Sequence, residues 1–200
     1  MSITHVFFDI GGVLGTNGWD HEQRAAAAEH FGLDSDFEPR HHEVVGDWEM
    51  GLVSLAEYLG ITVFYEPRSF SRSEFVEFMK EQSQPFPESL EIVRRLRERR
   101  GLELMTLNNE AEELNTYRIE RFGLCDVFDA FLTSCWLGAR KPSRRIFHRA
   151  IGIVQAPPGD ILFVDDRPQN LSPAHALGLQ TLHYTGPEAL EAGLREHGLL

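Results

Sequence analysis

Five polar side chains follow short apolar runs of this sequence, at the places where buried strands would end. Asp9 ends "HVFFD", Asn108 ends "LMTLN", and Lys141 lies in "GARKP" after a further apolar run. Asp165 and Asp166 end "ILFVDD". Two adjacent carboxylates repel each other unless a cation or neighbouring donors compensate their charge. Three carboxylates, an amide and a lysine can together support a reactive carboxylate beside a divalent cation.

Each of these residues also has an ordinary structural explanation when it is considered alone. A single Asp after a strand is commonly a turn residue or a helix cap. Asn108 precedes a helical pattern and is typical of a cap, and Lys141 before Pro142 can simply mark the start of the next helix. Five such residues in this order, each at a strand end, are much less expected by chance.

Short apolar runs alternate with helical patterns over most of the chain, which predicts an α/β fold. The predicted strands are residues 6–8, 102–107, 130–133, 161–164 and 181–184. The predicted helices between and after them are residues 87–99, 110–122, 143–151, 168–177 and 187–197. Right-handed crossovers then give a doubly wound parallel sheet with helices on both faces. Ligands of such sheets bind at the carboxyl ends of the strands.

Residues 16–84 interrupt this alternation and predict a small helical domain inserted into a core formed by residues 1–15 and 85–200. A helix pattern follows an Asp cap at "DHEQRAAAAEHF", and "SLAE" and "SRSE" are typical capping boxes that begin two further helices. The stretch "GITVFYEPRSFS" is ambiguous, because a short strand and a helix end followed by a loop both fit it.

Composition limits the class of protein. The 200 residues, 42% of them hydrophobic, suffice for one sizeable core with an insert. A net charge of −12 argues against nucleic acid or an anionic membrane as the principal partner, and we expect a monomer or a homodimer.

The cysteines and histidines give no sign of a soft-metal site. Cys125 and Cys135 lack metal-ligand spacing, and with no secretory or transmembrane stretch a reducing cytoplasm is the expected location. His41 and His42 have no third ligand at a useful spacing, so we expect both on a helix surface.

The order of the motifs resembles the haloacid dehalogenase superfamily of aspartate-nucleophile hydrolases, over nearly the whole chain. Its first motif, Asp-x-Asp-Gly after an apolar strand, matches at Asp9 and Gly12, with Gly11 in place of the second Asp. "LMTLNN" puts Asn108 at the position of the family's hydroxyl residue, and Lys141 and "VDDRP" match the third and fourth motifs. The sequence is most similar to phosphatases with an Asp-x-Gly first motif and "RKP" in the third. The helical insert is similar to that family's first type of cap.

The resemblance implies a Mg²⁺-dependent phosphatase of a small phosphorylated metabolite, with Asp9 as the nucleophile that becomes phosphorylated. Asp9 and Asp166 would be direct Mg²⁺ ligands together with the backbone carbonyl of Gly11. Asp165 would be a further ligand or, preferably, an acceptor that orients a metal-bound water. Lys141 would keep Asp9 ionised and hold the phosphoryl group.

Further residues are expected to contact the substrate. The Asn108 amide can donate to a phosphoryl oxygen, as the family's hydroxyl would. The turn at Gly12 lets backbone N–H groups approach the phosphate, and Asn109 is adjacent to it in the expected site. In the cap, Trp48 could stack on a substrate and Arg68 could attract an anion.

Gly11 removes the carboxyl group that normally protonates the leaving oxygen, a function typically worth roughly 10²- to 10⁴-fold in rate. Either the substrate has a good leaving group, such as a sugar 1-phosphate or an aryl or acyl phosphate, or a residue near 17–20 supplies the proton.

Two alternatives stay open. The missing acid and Asn108 also fit a catalytically silent protein that binds a phosphorylated metabolite or a protein partner. A dehalogenase would use Asp9 against carbon and needs no metal, which leaves the Asp165 and Asp166 pair unexplained.

Overall fold

A computed structural model describes residues 2–200 and contains a five-stranded parallel sheet with helices on both faces. The elements in chain order are β1 His5–Phe8, α1 His21–Phe31, α2 Phe37–Glu49, α3 Leu55–Thr62, α4 Arg72–Glu81, α5 Pro87–Arg97, β2 Glu103–Thr106, α6 Glu112–Arg121, β3 Ala130–Phe131, α7 Ser134–Leu137, α8 Arg144–Val154, β4 Ile161–Asp165, α9 Pro168–His175, β5 Gln180–His183 and α10 Pro187–Glu196. The strand order is β3-β2-β1-β4-β5, so the predicted fold class is confirmed.

The register of the sheet aligns the carboxyl ends of its three central strands. Phe8, the last residue of β1, lies opposite Thr106 of β2 and Val164 of β4. The strand order reverses at β1, because the chain adds β2 on one side of it and β4 on the other. A crevice forms at such a reversal, and the residues after β1, β2 and β4 meet there.

Apolar side chains on both faces hold the sheet in the interior. Val6 and Phe8 of β1 face one hydrophobic cluster, which includes residues of α5 and α10, and Phe7 faces a second cluster with residues of α8. All five residues of β4 are buried. This explains why the strands are continuous apolar runs instead of alternating patterns. Within residues 2–200, no helix is long and apolar enough to cross a lipid bilayer.

Residues 16–84 contain α1 to α4, and the predicted helix starts are confirmed. Asp20 caps α1 through the backbone N–H of His21, and Ser54 and Ser71 form complete capping boxes with Glu57 and Glu74. The ambiguous stretch of residues 60–71 is the end of α3 followed by a loop. The four helices share a hydrophobic cluster to which α6 of the core also contributes.

His41 lies inside this helical insert, which corrects the expectation that it is on a helix surface. Its Nδ1 atom lies 2.8 Å from the Tyr58 hydroxyl, to which the Trp19 indole N–H also donates at 2.8 Å. Because the indole can only donate, the Tyr58 oxygen accepts from Trp19 and its O–H is free to donate to Nδ1. Burial, reinforced by the positive charge of Arg24, lowers the pKa of His41 to about 3. His41 is therefore neutral in the folded protein near neutral pH.

Acid should destabilise the fold through His41. In the unfolded chain His41 takes up a proton below its ordinary pKa of 6.5, whereas the folded protein resists protonation down to about 3. The contribution of neutral His41 to the free energy of unfolding is therefore fully present above pH 6.5 and is lost as the pH falls toward 3. When the pH is lowered from 7 to 5, the unfolding free energy of the wild type should decrease by about 2 kcal/mol more than that of His41→Gln. Urea denaturation at the two pH values measures both decreases. His42→Gln changes an exposed neighbour and should behave like the wild type; an unaltered acid response of His41→Gln would contradict the assignment.

Candidate active site

Asp9 lies at the carboxyl end of β1, at the crevice of the sheet. Its backbone N–H donates to the Val164 carbonyl at 2.9 Å and extends the pairing of β1 with β4 by one residue. The Asp9 side chain is buried, and its Oδ1 accepts the backbone N–H of Ile10 at 2.8 Å. The tight turn that follows holds the carboxylate in one orientation.

Lys141 joins two of the carboxylates. Its Nζ lies 2.9 Å from Asp9 Oδ2 and 2.6 Å from Asp165 Oδ2. Burial alone would lower the pKa of Lys141, but the charges of Asp9 and Asp165 raise it above its ordinary value. Asn109 fixes the lysine backbone, because its amide donates to the Lys141 carbonyl at 2.9 Å and accepts the Lys141 N–H at 2.8 Å. The ammonium group is therefore both charged and held in place.

Asp165 and Asp166 have very different surroundings. Asp165 is fully buried and accepts from Lys141, from the Arg167 backbone N–H at 2.8 Å and from the Asn170 amide at 3.0 Å. Asp166 Oδ1 is also shielded from solvent, yet within residues 2–200 it finds no hydrogen-bond donor. One ligand oxygen from each of Asp9, Asp165 and Asp166 lies within 4.8 Å of the other two.

This cluster carries more negative than positive charge. Burial raises the pKa of Asp9 to about 7, with Lys141 opposing the rise and Asp165 adding to it. Burial and the neighbouring Asp165 also raise the pKa of Asp166. A divalent cation would relieve the repulsion, and Mg²⁺ prefers carboxylate and carbonyl oxygens. The unpartnered oxygen of Asp166 makes the cluster chemically suited to hold such an ion.

Gly12 makes room for Asp166. Its φ of +76° is a conformation that favours glycine, and a Cβ at this position would overlap the Asp166 carboxylate. A side chain here would therefore displace Asp166 from the cluster.

A cleft of about 280 Å³ lies between the sheet edge and the helical insert. Its lining includes Asp9, Gly11, Asn17, Trp19, Asp20, Arg24, His41, His42, Val45, Glu49, Asn109, Glu110, Arg118, Arg140, Lys141, Arg167 and Asn170. Two ion pairs join core and insert across it, Arg140 with Glu49 at 3.1 Å and Arg167 with Asp20 at 2.6 Å.

Neither polar residue of the 17–20 segment that lines the cleft is a ready proton donor. Asn17 has no acidic proton. Burial favours protonation of Asp20, but its hydrogen bonds from the His21 backbone and from Arg167 outweigh this and lower its pKa. Asp20 is therefore an ionised partner of Arg167 near neutral pH.

Asn108 does not occupy the place expected of it. It is buried outside the cleft lining, where its amide donates to Asn115 at 2.9 Å and its carbonyl accepts from Thr133 at 3.2 Å. Asn109, the next residue, lines the cleft and anchors Lys141. Asn108 therefore links buried residues next to the site, whereas Asn109 holds the backbone of Lys141 at the cleft.

Trp48 and Arg68 also lie outside the cleft lining, so the structure does not bring these two expected substrate contacts together with the acidic cluster. The Trp48 ring is buried in the insert and stacks on Tyr58 with 4.0 Å between centroids. Arg68 donates to the Val63 carbonyl at 2.8 Å and pairs with Glu66 at 2.8 Å. Trp48 is a packing residue, and Arg68 neutralises a surface acid.

Arg118 is one of several cleft residues that the sequence motifs do not indicate. It is buried on α6, where its Nε donates to Ser83 Oγ at 3.2 Å and lies 3.4 Å from Glu110 Oε2. Burial raises the pKa of Glu110 to about 7 although Arg118 opposes this. The available signal is helical spacing: Arg118 falls on the same face as Leu114, which is buried.

Substitution of Gly12 should reveal the contact with Asp166. Gly12→Ala and Gly32→Ala both place a side chain at positive φ, but a Cβ on Gly32 meets open space. We expect Gly12→Ala to lose about 1–3 kcal/mol more unfolding free energy than Gly32→Ala, because only the former forces a packed group to move. Urea denaturation of both variants measures this difference. Equal losses would mean that Asp166 moves away freely.

Comparison with known proteins identifies the family. The model of the haloacid dehalogenase-like hydrolases matches residues 3–178. Haloacid dehalogenase-like hydrolase domain-containing protein 3 of Bos taurus is 33% identical over 99 residues, which are 49% of this chain and 39% of that protein. The chain thus spans well under two thirds of this curated relative.

Solved structures show the same fold. The HAD family enzyme bt-2542 of Bacteroides thetaiotaomicron superposes with a TM-score of 0.80 at 20% identity, covering 92% of this chain and 94% of that one. That enzyme has also been solved in complex with magnesium and inorganic phosphate. A HAD-like family hydrolase of Porphyromonas gingivalis gives a TM-score of 0.77 at 23% identity, over 98% of this chain and 99% of that one.

Proposed function

Because the chain belongs to the haloacid dehalogenase-like hydrolase family, we propose that it is a Mg²⁺-dependent phosphatase that hydrolyses monoesters of small phosphorylated metabolites. The observation that carries this proposal is the cluster of Asp9, Asp165 and Asp166, whose ligand oxygens lie within 4.8 Å of one another. Lys141 contacts Asp9 at 2.9 Å and supplies positive charge beside them. The structure of bt-2542 in complex with magnesium and inorganic phosphate supports the choice of Mg²⁺ and of a phosphorylated substrate.

Asp9 is the proposed nucleophile. Its carboxylate oxygen attacks phosphorus, the bond from phosphorus to the leaving oxygen breaks, and the Asp9 side chain becomes an aspartyl-phosphate. A water molecule then attacks that phosphorus, which releases inorganic phosphate and restores the carboxylate. Lys141 favours the ionised nucleophile, and Ile10 N–H holds the second Asp9 oxygen at 2.8 Å.

Asp9, Asp166 and the Gly11 carbonyl are the proposed Mg²⁺ ligands. When bound, the ion would offset the charges of the carboxylates and of the phosphoryl oxygens. Asp165 already accepts hydrogen bonds from Lys141, Asn170 and the Arg167 backbone. We therefore assign Asp165 the task of positioning Lys141 and not that of a principal metal ligand.

The phosphoryl group and the rest of the substrate lie in the cleft under this proposal. Gly11 and Asn109 line this cleft, so the turn after Asp9 lets the Gly11 backbone approach the phosphate. Gly12 lies outside the lining, and its N–H donates to the Gly15 carbonyl at 2.8 Å. Helices α1 to α4 act as a cap, held to the core by the pairs of Arg140 with Glu49 and Arg167 with Asp20. A cleft of about 280 Å³ limits the substrate to a small molecule.

Hydrolysis of p-nitrophenyl phosphate tests the nucleophile. We expect turnover with Mg²⁺, its loss with a chelator, and a fall of at least about 10³-fold in kcat for Asp9→Asn, because an amide cannot form the aspartyl-phosphate. Asp126→Asn removes an exposed carboxylate outside the cleft and is the matched control. Full activity of Asp9→Asn would exclude this mechanism. Phosphate binding without any turnover by the wild type would favour the silent binding protein instead.

The absence of an acid at Gly11 has a measurable consequence. Since Asn17 is not acidic and the pKa of Asp20 is lowered by its hydrogen bonds despite its burial, the leaving oxygen departs with little help from this segment. In a series of aryl phosphates we expect kcat/KM to fall by about threefold or more for each unit of rise in leaving-group pKa. Steady-state rates at one pH measure the slope. A flat series would mean that another residue donates the proton.

A further inference from the structure

Helix α2 presents a stripe of side chains to the cleft. His41, Val45 and Glu49 all line the cleft, and residues four apart lie on one face of a helix. Glu49 pairs at 3.1 Å with Arg140, which precedes Lys141 in the chain. His41 lies two helical turns from Glu49, about 12 Å along the axis of α2. The stripe therefore extends away from Lys141 along the wall of the cleft.

His41 has one ring nitrogen in use and one without a partner. Nδ1 accepts from the Tyr58 hydroxyl at 2.8 Å, because the Tyr58 oxygen already accepts the Trp19 indole N–H. The proton of the neutral imidazole is then on Nε2. Within residues 2–200, Nε2 makes no hydrogen bond and is not among the polar atoms sealed from solvent, although His41 as a whole is 3% exposed. Because His41 lines the cleft, we take Nε2–H to be a donor that faces it.

The charged side chains near His41 are already paired. Arg24 donates to Glu38 through Nε at 2.9 Å and through Nη2 at 2.6 Å, and its Nη1 donates to a backbone carbonyl at 2.7 Å. Arg167 pairs with Asp20 at 2.6 Å. A ligand carboxylate beside His41 would find both cations occupied, and a charge that is buried without compensation is costly. This end of the cleft therefore favours an uncharged group.

A fixed neutral donor distinguishes among uncharged and cationic groups of a ligand. A hydroxyl, ether or carbonyl oxygen can accept from the His41 N–H, whereas an ammonium group can only donate and a methyl group can do neither. A ligand that places an ammonium or a methyl group there excludes water and leaves the N–H unpaired. An oxygen acceptor is therefore selected at this position.

We propose that His41 is a specificity-determining residue, which donates through Nε2 to an uncharged oxygen of the leaving alcohol. The substrates are then phosphate monoesters of alcohols that carry a second, uncharged oxygen remote from the phosphoryl group. This inference rests on the proposed phosphatase function and names its substrate class. The phosphoryl group binds beside Asp9 and Lys141, and the carbon atoms of the alcohol extend along α2, past Val45, to His41.

Three series of non-hydrolysable ligands test this donor without turnover. Phosphonates with chains from ethyl to hexyl, ending in a hydroxyl, a methyl or an ammonium group, are matched in length and differ only in the terminal group. At the chain length that reaches His41, we expect the wild type to bind the hydroxyl ligand about tenfold more tightly than both others. Titration calorimetry at one free Mg²⁺ concentration measures the dissociation constants. In His41→Leu the preference should disappear, because leucine has no donor. His148→Leu removes an exposed imidazole outside the cleft and should keep it.

Nitrogen NMR of the wild type makes the test independent of the folding of His41→Leu. With the histidine ring nitrogens labelled, His41 should show a protonated Nε2 and an unprotonated Nδ1 near neutral pH. Saturation with the preferred hydroxyl ligand should move the Nε2 proton downfield, because it enters a hydrogen bond, and the methyl ligand of the same length should not. Circular dichroism establishes whether His41→Leu and His148→Leu are folded.

The outcomes separate this inference from the proposed function. If the wild type binds the phosphonates but prefers no hydroxyl ligand, or prefers an ammonium ligand, the role of His41 is overturned and the phosphatase proposal stays intact. A preference that persists in a folded His41→Leu variant, or a protonated Nδ1 in the wild type, also overturns that role. Failure of the wild type to bind any of the phosphonates with Mg²⁺ overturns the phosphatase proposal, and the role of His41 with it.

Discussion

The site depends on one buried ammonium group that two carboxylates share. Lys141 Nζ contacts Asp9 at 2.9 Å and Asp165 at 2.6 Å. A carboxylate is very unfavourable in the interior without a partner, so removal of this cation would leave two uncompensated charges. Asp165 gains further donors from Asn170 and the backbone, whereas Asp166 Oδ1 finds none within residues 2–200. The excess negative charge is therefore concentrated at Asp166, and a cation is most favourable there.

This shared cation constrains the fold around it. Asp9 and Asp165 come together because Phe8 is in register with Val164 in adjacent parallel strands. Lys141 arrives from the connection between α7 and α8, and Asn109, which follows β2, holds its backbone. A shift of either strand by one residue would turn its side chains to the opposite face and separate the carboxylates. The position of β1 in the middle of the sheet is thus a condition for the chemistry.

The sequence predicts the sheet and the acidic cluster because buried parallel strands are continuous apolar runs, and polar residues at their ends stand out. The sequence does not predict which of two adjacent polar side chains points into the cleft and which points into the core. Asn108 turns into the core and Asn109 into the cleft, and no pattern distinguishes them. The sequence also does not indicate that His41 and Trp48 are buried. Helix α2 begins at Phe37, after Asp36, whose side chain makes no capping hydrogen bond, so neither the start of the helix nor its buried face stands out. Arg118 reaches Gly11 through tertiary packing alone.

The unpaired groups describe what the cleft would bind. Arg140 and Arg167 already pair with Glu49 and Asp20 across it, so these four charges hold the insert to the core and leave little net attraction for a ligand. Asp166 Oδ1 and Arg118 Nη2 are orphaned groups of opposite polarity among residues 2–200. The first calls for a cation, and an oxygen of Asp9 lies within 4.8 Å of an Asp166 oxygen. The second is packed against Gly18 and shielded from solvent, so it offers no donor to a molecule in the cleft. A cation held at Asp166 would therefore be what attracts a negatively charged ligand to this site.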